Sequence, residues 1–274
     1  IEWKKLIEIS GPFLSIPILN ENFPQGLDAH DPDLSRDLRA AHEEWLDNQG
    51  GLNPDSQIHQ AWIDYVLQRV LGFDDQILLK GEEVPENLST KIEDRLIKIT
   101  PDIVLLDPAS EKVKPAFIIQ TFPLDQDLDK PPQGDPSQES IQTRMMLLLH
   151  PYHSPLGMVT NGHAWMLVYA PQGETTSFIT WYSYLWLDEP LTLRAFRTFL
   201  KLGRFFGVPD DQTLVGMLQE SAEKQQDVST LLGSQVRSAV EILIRSLDEA
   251  DKNLGGELLK SVGEVDLFEA ALTV

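Results

Sequence analysis

The chain predicts an α/β fold, and three observations carry the prediction. Two apolar, β-branched runs, Pro101-Asp102-Ile103-Val104-Leu105-Leu106 and Ala116-Phe117-Ile118-Ile119-Gln120-Thr121-Phe122, are bounded by Pro, Ser or Asp and read as short strands. Apolar residues at helical spacing flank them on both sides, at 57–71 and at 137–150. From about residue 190 onward the pattern is wholly helical. At 274 residues the chain is long enough for one large or two ordinary domains with real cores.

Residues 1–33 carry Pro12, Pro17, Pro24 and Pro32 and read as an extended, turn-rich lead-in. Ser35 is the expected cap of a helix with Leu34, Leu38, Ala41 and Trp45 at helical spacing, and the Asn48-Gln49-Gly50-Gly51-Leu52-Asn53-Pro54 run breaks it. Asp55 or Ser56 caps a second helix whose face is Ile58, Ala61, Trp62, Tyr65, Val66 and Val70, with Gly72 as its stop. A short strand follows at Gln76–Lys80, then the two strands above. After a Pro- and Asp-rich loop at 123–138 comes a helix at about Ser137–His150, with Ile141, Met145 and Leu148 inward. Pro155–Thr160 and Ala164–Ala170 are strands joined by Asn161-Gly162, a strong two-residue hairpin signal. Ser177–Trp186 adds a strand. Three helices are expected at Leu191–Phe206, Thr213–Gln225 and Ser234–Ala250. These patterns divide the chain into a lead-in with a helix (1–54), an α/β domain (55–190) and a helical connector (191–274).

Composition narrows the function. A hydrophobic content of 42% fits a globular chain. No run approaches the roughly 18–20 apolar residues that span a bilayer, and no membrane partner is expected. The absence of cysteine excludes disulfides, thiolate zinc sites and thiol catalysis, and a cytoplasmic location fits best. The net charge of −21, from 43 acidic and 22 basic residues, argues against a dedicated nucleic-acid binder, because phosphate contacts need clustered Lys and Arg. The first residue is Ile1, and the terminal Glu269–Val274 reads as an apolar helix without a stop signal, so a portion of a longer polypeptide is expected.

The element order from residue 57 is helix, strand, strand, strand, helix, strand. That αβββαβ order, with Pro101-Asp102 opening the middle strand, is similar to the core of PD-(D/E)XK nucleases. In those enzymes an Asp on one strand and a Glu-x-Lys on the next hold Mg²⁺ and polarise a phosphodiester. The stretch Gly157-Met158-Val159-Thr160-Asn161-Gly162-His163-Ala164-Trp165-Met166-Leu167 resembles a hairpin found after the nuclease core in type IIG restriction–modification enzymes and in related phage-defence adenine methyltransferases of the DISARM and BREX kind. Leu267–Val274 looks like the helix that leads into their methyltransferase portion. The likeness covers roughly 55–274 in order and is specific mainly at 155–169.

The resemblance implies a parent protein that methylates adenine N6 with S-adenosylmethionine and acts on double-stranded DNA, with defence-system proteins as partners. The Asn/Asp-Pro-Pro-aromatic motif and glycine-rich loop of that chemistry are not in this chain. Lys130-Pro131-Pro132-Gln133 lacks both the polar group that receives the adenine amino hydrogen and the stacking aromatic. This chain is therefore expected to hold no cofactor of its own, with Mg²⁺ required only if the nuclease site is active.

At that site the expected Glu is Gln120 and the expected Lys is Phe122. Asp102 offers one hard oxygen ligand and Gln120 a weaker, neutral one. Phe122 removes the cation that stabilises developing charge, and Lys112 and Lys114 lie in the turn between the strands. Asp102 and Gln120 are read as vestigial nuclease positions with no catalytic residue beside them. The bland reading of Asp102 is a strand-start Asp that receives local backbone N–H groups. The expected function is thus a non-cleaving, nuclease-like domain that scaffolds, assembles partners and helps position DNA. Two alternatives stay open: an active Mg²⁺-dependent endonuclease, and an acidic DNA mimic or protein-interaction module.

One basic stripe interrupts the acidity. Arg194, Arg197, Lys201 and Arg204 fall within about an 80° arc of a helix that turns about 100° per residue. They are the DNA-binding candidates, weighed against an ordinary solvated face or a partner for the protein's own acid surface. Asp125, Asp127 and Asp129 do not make an EF-hand loop, because Lys130 and Pro136 stand where Gly and Glu are needed. No metal site is expected at His30, His42, His59, His150, His153 or His163, and Ser15, Ser110 and Ser154 have no nucleophile setting. Trp165, Trp181, Trp186 and Tyr169 read as core rather than as a stacking platform.

Overall fold

A computed structural model describes residues 2–91, 98–108, 115–135, 138–152, 154–253 and 255; side chains are described for all of these except 227 and 228. Lys112, Lys114, Ser110, Pro136, His153 and the terminal Leu267–Val274 lie outside the described residues. By compactness the chain falls into two units, residues 1–221 and 222–274. The boundaries expected from sequence at 54/55 and 190/191 both fall inside the first unit.

The first unit is a mixed α/β structure. In chain order its strands are β1 (Glu8–Ser10), β2 (Leu78–Lys80), β3 (Thr90–Lys91), β4 (Lys98–Ile99), β5 (Ile103–Leu106), β6 (Pro115–Thr121), β7 (Leu156–Thr160), β8 (Ala164–Tyr169) and β9 (Ser177–Tyr182). Its helices are α1 (Ile16–Asn22), α2 (Pro32–Gln49), α3 (Ser56–Tyr65), α4 (Ile141–Leu149), α5 (Pro190–Leu200) and the start of α6 (Leu214–Asn253). Seven strands form one sheet in the order β1-β9-β8-β7-β6-β5-β2, and β3 pairs only with β4. All neighbours are antiparallel except β6 and β7, which run parallel across the α4 crossover.

Local chemistry sets most element starts. The Asp55 carboxylate accepts the Gln57 N–H and caps α3, and Ser140 accepts the Thr143 N–H and caps α4. Beyond Tyr65, α3 continues as a π-helical turn, Val66–Val70, and the chain leaves it through Gly72 at φ +76°. Glycine alone adopts that conformation without strain.

Several expectations are corrected. Asp31, not Ser35, caps α2, because Pro32 occupies the first helical position and the Asp31 carboxylate accepts the Leu34 N–H at 3.0 Å. The lead-in is not merely extended. It contains α1, with Pro17 tolerated in its first turn, and β1, which pairs with β9. The loop between β7 and β8 is three residues, 161–163, rather than two. Helix α5 stops at Leu200 instead of Phe206: Lys201 is extended, and the Leu202 N–H donates to the Leu71 carbonyl at 2.8 Å. The two helices expected at 213–225 and 234–250 are one, α6. A single Gly233 costs only about 1 kcal/mol in a helix, and no Pro enforces a stop.

The sheet buries both faces. On one, Ile103, Phe117, Ile119, Met158, Trp165 and Trp181 meet the helices α1, α2, α3, α5 and the first turns of α6. On the other, Ile118, Val159, Met166 and Val168 meet α4 through Ile141, Met145 and Leu148. Gly157 in β7 leaves room for this helix, since a Cβ there would lie 2.4 Å from the Met145 sulfur. Trp165, Trp181, Trp186 and Tyr169 are all buried core residues. By itself the second unit carries α6 from Ala222 to Asn253, with Leu231, Leu232, Val236 and Ile242 exposed.

Candidate functional site

The nuclease-like positions Asp102, Gln120 and Phe122 gather at one end of the sheet, outside the C-terminal ends of β6 and β7. In open α/β sheets ligands bind at this end. Asp102 immediately precedes β5, and its N–H donates to the Ile119 carbonyl at 3.1 Å. Its carboxylate accepts the Thr121 N–H at 2.8 Å and, more weakly, the Thr121 hydroxyl at 3.5 Å. Although Asp102 as a residue is exposed, loss of hydration to the surrounding protein raises its carboxyl pKa from the ordinary value. The two Thr121 donors and the nearby Arg144 guanidinium oppose that rise.

Gln120 shares the face of β6 that carries Ile118 and looks toward α4. It is 4% exposed, and its Oε1 has no hydrogen-bond partner. Phe122 lies two residues on, partly buried against the same apolar cluster as α4. Its carbonyl is also engaged: His59 Nδ1 accepts the Trp45 indole N–H at 3.0 Å, so Nε2 carries the ring proton and donates to Phe122 O at 2.9 Å. Burial lowers the His59 pKa, and the Phe122 contact pulls against that shift. A cleft of about 780 Å³ opens between Asp55, Ser56 and His59 on one side and Thr121, Phe122 and Leu124 on the other.

Sequence reasoning missed Arg144. It projects from α4, forms an ion pair with Asp135 in which both side chains are largely buried, and leaves its Nε buried without a partner. The one signal for it was a cation beside Ile141 and Met145 on a helix otherwise packed inward. One carboxylate, one neutral amide and a neighbouring guanidinium do not fit a Mg²⁺ site, which requires several oxygens and disfavours a nearby cation. Among the described residues, no group of three or more His, Asp or Glu side chains is placed to hold a metal.

The 160–164 turn lies at the same end and is fully bonded. Gly162 O accepts from Trp62 Nε1 at 2.7 Å, Trp165 Nε1 at 3.2 Å and Ser183 Oγ at 3.2 Å. Asn161 Oδ1 accepts the His163 and Ala164 N–H groups, and its Nδ2 donates to the carbonyls of Leu124 and Gln126. Thr160 Oγ1 accepts the Gly162 N–H and donates to Ala164 O. The turn therefore ties α3, β8, the Ser183 turn and the 123–126 loop together.

The basic stripe is engaged within the protein. Arg194 donates to the carbonyls of Asp28 and Leu27, Arg197 pairs with Asp31 at 3.4 Å, and Lys201 pairs with Asp28 at 2.6 Å. Arg204 has left the helix; it donates to the Thr198 carbonyl and stacks over Phe23 at 4.6 Å. A second cleft, of about 450 Å³, lies at the opposite end of the sheet beside Pro115, Ser154 and Phe206; of the candidates only Arg204 lines it. In the acidic loop, Asp127 pairs with Lys130 at 2.9 Å and accepts the Asp129 N–H. No helix among the described residues is long and apolar enough to cross a membrane. Comparison with protein-family models, with curated proteins and with solved structures finds no match to this chain.

Proposed function

We propose that this chain is a nuclease-like, non-cleaving domain of a DNA adenine methyltransferase from a restriction–modification or phage-defence system. Its work is to scaffold, to assemble partners and to help position double-stranded DNA. One observation carries the non-cleaving part. At the strand end where a PD-(D/E)XK enzyme builds its metal site, Asp102 stands beside a buried Gln120, and the next position on that face is filled by Phe122. A neutral amide and a phenyl ring supply neither the second anionic ligand nor the cation of the cleavage reaction.

The order of strands in space supports the nuclease-like reading. β2, β5 and β6 form an antiparallel meander, α4 crosses over, and β7 returns parallel to β6. The methyltransferase context rests on the hairpin at 157–167, whose Thr160, Asn161, Gly162 and Trp165 form the bonded turn. The α5 cations hold the 27–31 segment, and this favours DNA positioning by surfaces other than that stripe.

Incubating the full-length protein with DNA and Mg²⁺ or Mn²⁺ tests the reading, and intact DNA is expected. Cleavage that disappears in Asp102→Ala overturns it. The methyltransferase context is tested by the coding sequence beyond Val274, where an Asn-Pro-Pro-aromatic motif within the next few hundred residues is expected.

A further inference from the structure

The cleft of about 450 Å³ at the start of β6 and β7 has the build of a small-molecule site. Pro115 opens β6 and Pro155 precedes β7, and both border the cleft. Neither has an N–H to give a ladder, and the parallel pairing begins only at Ile118 and Gly157. Ala170, Phe205, Phe206 and Val215 supply apolar wall. Three polar features meet this space. Arg197 and Lys201 pair with Asp31 and Asp28, whereas Arg204, which lines the cleft, forms no ion pair among the described residues. Its Nε donates to the Thr198 carbonyl at 3.1 Å and Phe23 lies against its face at 4.6 Å, which fixes the guanidinium plane. Its Nη1 reaches the Gln212 carbonyl only at 3.5 Å, and Nη2 has no acceptor among the described residues. Ser154, also in the lining, is 4% exposed, and its Oγ is buried without a partner. Thr213 and Val215 bring the N-terminal end of the long helix α6 to the cleft, and a helix favours negative charge at that end.

We propose that this cleft binds a small monocarboxylate with an aromatic body, its carboxylate on Arg204 and its ring against Phe205, Phe206 and Val215. A guanidinium held in one plane is matched to a carboxylate, which receives two parallel N–H groups. The Ser154 hydroxyl turns about a single bond and offers a polar atom of the ligand the partner it lacks within the protein. The charge is limited to one, because Asp107 and the exposed Glu174 also line the cleft and repel a multiply charged ligand such as a nucleoside phosphate. Neither Asp102 nor Gln120 lines this cleft, so the inference stands apart from the nuclease-like reading.

The experiment titrates the full-length protein with phenylacetate, and with its uncharged analogue phenylacetamide, by saturation-transfer NMR. Phenylacetate is expected to saturate with a Kd of about 1 mM or tighter, as suits a fragment of its size, and phenylacetamide to bind at least ~10-fold more weakly. Arg204→Gln should weaken phenylacetate by about tenfold and leave phenylacetamide unchanged. Arg204 also holds the Thr198 carbonyl, so a second variant guards against a failure to fold. Glu174→Gln alters only an exposed side chain at the cleft and should tighten phenylacetate about 2-fold by removing a like charge. No saturable binding of phenylacetate up to ~10 mM overturns the inference, as does phenylacetamide binding equally well. Phenylacetate binding that the Glu174→Gln variant and a folded Arg204→Gln variant both leave unchanged lies elsewhere on the protein and overturns it too.

Discussion

The 160–164 turn and the Asp102 strand end sit at the same end of one sheet and treat buried polar groups in opposite ways. In the turn, Thr160, Asn161 and Gly162 all find partners, and a single carbonyl oxygen accepts three donors. At the strand end, Gln120 Oε1 and Arg144 Nε are buried without any. A buried polar group without a partner costs roughly 1–3 kcal/mol, so the two regions differ in how far each has been optimised for stability. The most recognisable motif in the sequence therefore marks the framework. The site that departs from its expected residues is where polar groups remain available.

Substitutions can break or sharpen this contrast. The largest effect is expected from Gly162→Ala. Gly162 holds φ +82°, and a Cβ there would lie 2.8 Å from a Trp45 ring carbon and 3.0 Å from a His59 ring carbon. Left-handed strain together with a clash against packed rings predicts a loss of about 3 kcal/mol, read from the midpoint of urea denaturation. A change below about 1 kcal/mol would mean that the turn is not the framework described above.

Gln120→Met tests the other region with the opposite sign. It fills a similar volume and removes the unpaired oxygen, so stability should stay level or rise by about 1 kcal/mol. A clear loss in the same urea experiment would show that the amide is bonded in solution.

Acid should act through three histidines held wholly or partly out of water. Burial lowers the pKa of His42, His59 and His163 below the ordinary 6.5. For a histidine held neutral in the folded state, the unfolded chain takes up more protons once the pH drops below that value. Stability is therefore full above about pH 6.5 and falls as the pH decreases through and below it. Urea midpoints at pH 7.5, 6.5 and 5.5 should decline in that order, and His59→Gln should flatten the decline. An unchanged slope in that variant removes His59 from the explanation.

The smallest effect belongs to Arg197→Ala. Its partner Asp31 is itself two-fifths exposed at a separation of 3.4 Å. Such a pair contributes within about 0.5 kcal/mol. Because the stripe already holds the chain's own acid residues, the Arg197→Glu, Lys201→Glu variant of the full-length protein should keep its DNA affinity and its salt slope. A fall in both restores a DNA-gripping role for α5.

Much of the fold was legible because its signals are local. Asp55 ahead of an amphipathic run, Gly72 after it, and Asn161-Gly162 between two apolar runs act within a few residues of themselves. The alternation in β6 was legible too, since Phe117 and Ile119 go to one face and Ile118 and Gln120 to the other. The strand β1 was not legible. Glu8, Ile9 and Ser10 become a strand only by pairing with Thr180, Ile179 and Phe178. The basic arc on α5 was read from periodicity alone, and periodicity gives no warning that the helix stops at Leu200.

The candidate site divides along the same line. The residue types at 102, 120 and 122 are plain in the sequence, and with them the loss of a second carboxylate and of a lysine. That Arg144 on α4 pairs with Asp135 was decided only by the fold. Sequence by itself determined the α/β class, the acidic surface and the turn, because propensity, charge and hydrogen bonds between near neighbours are properties of short segments. The tertiary structure alone decided which charges neutralise one another, because Coulomb interactions depend on distances that a folded backbone sets and a linear order does not.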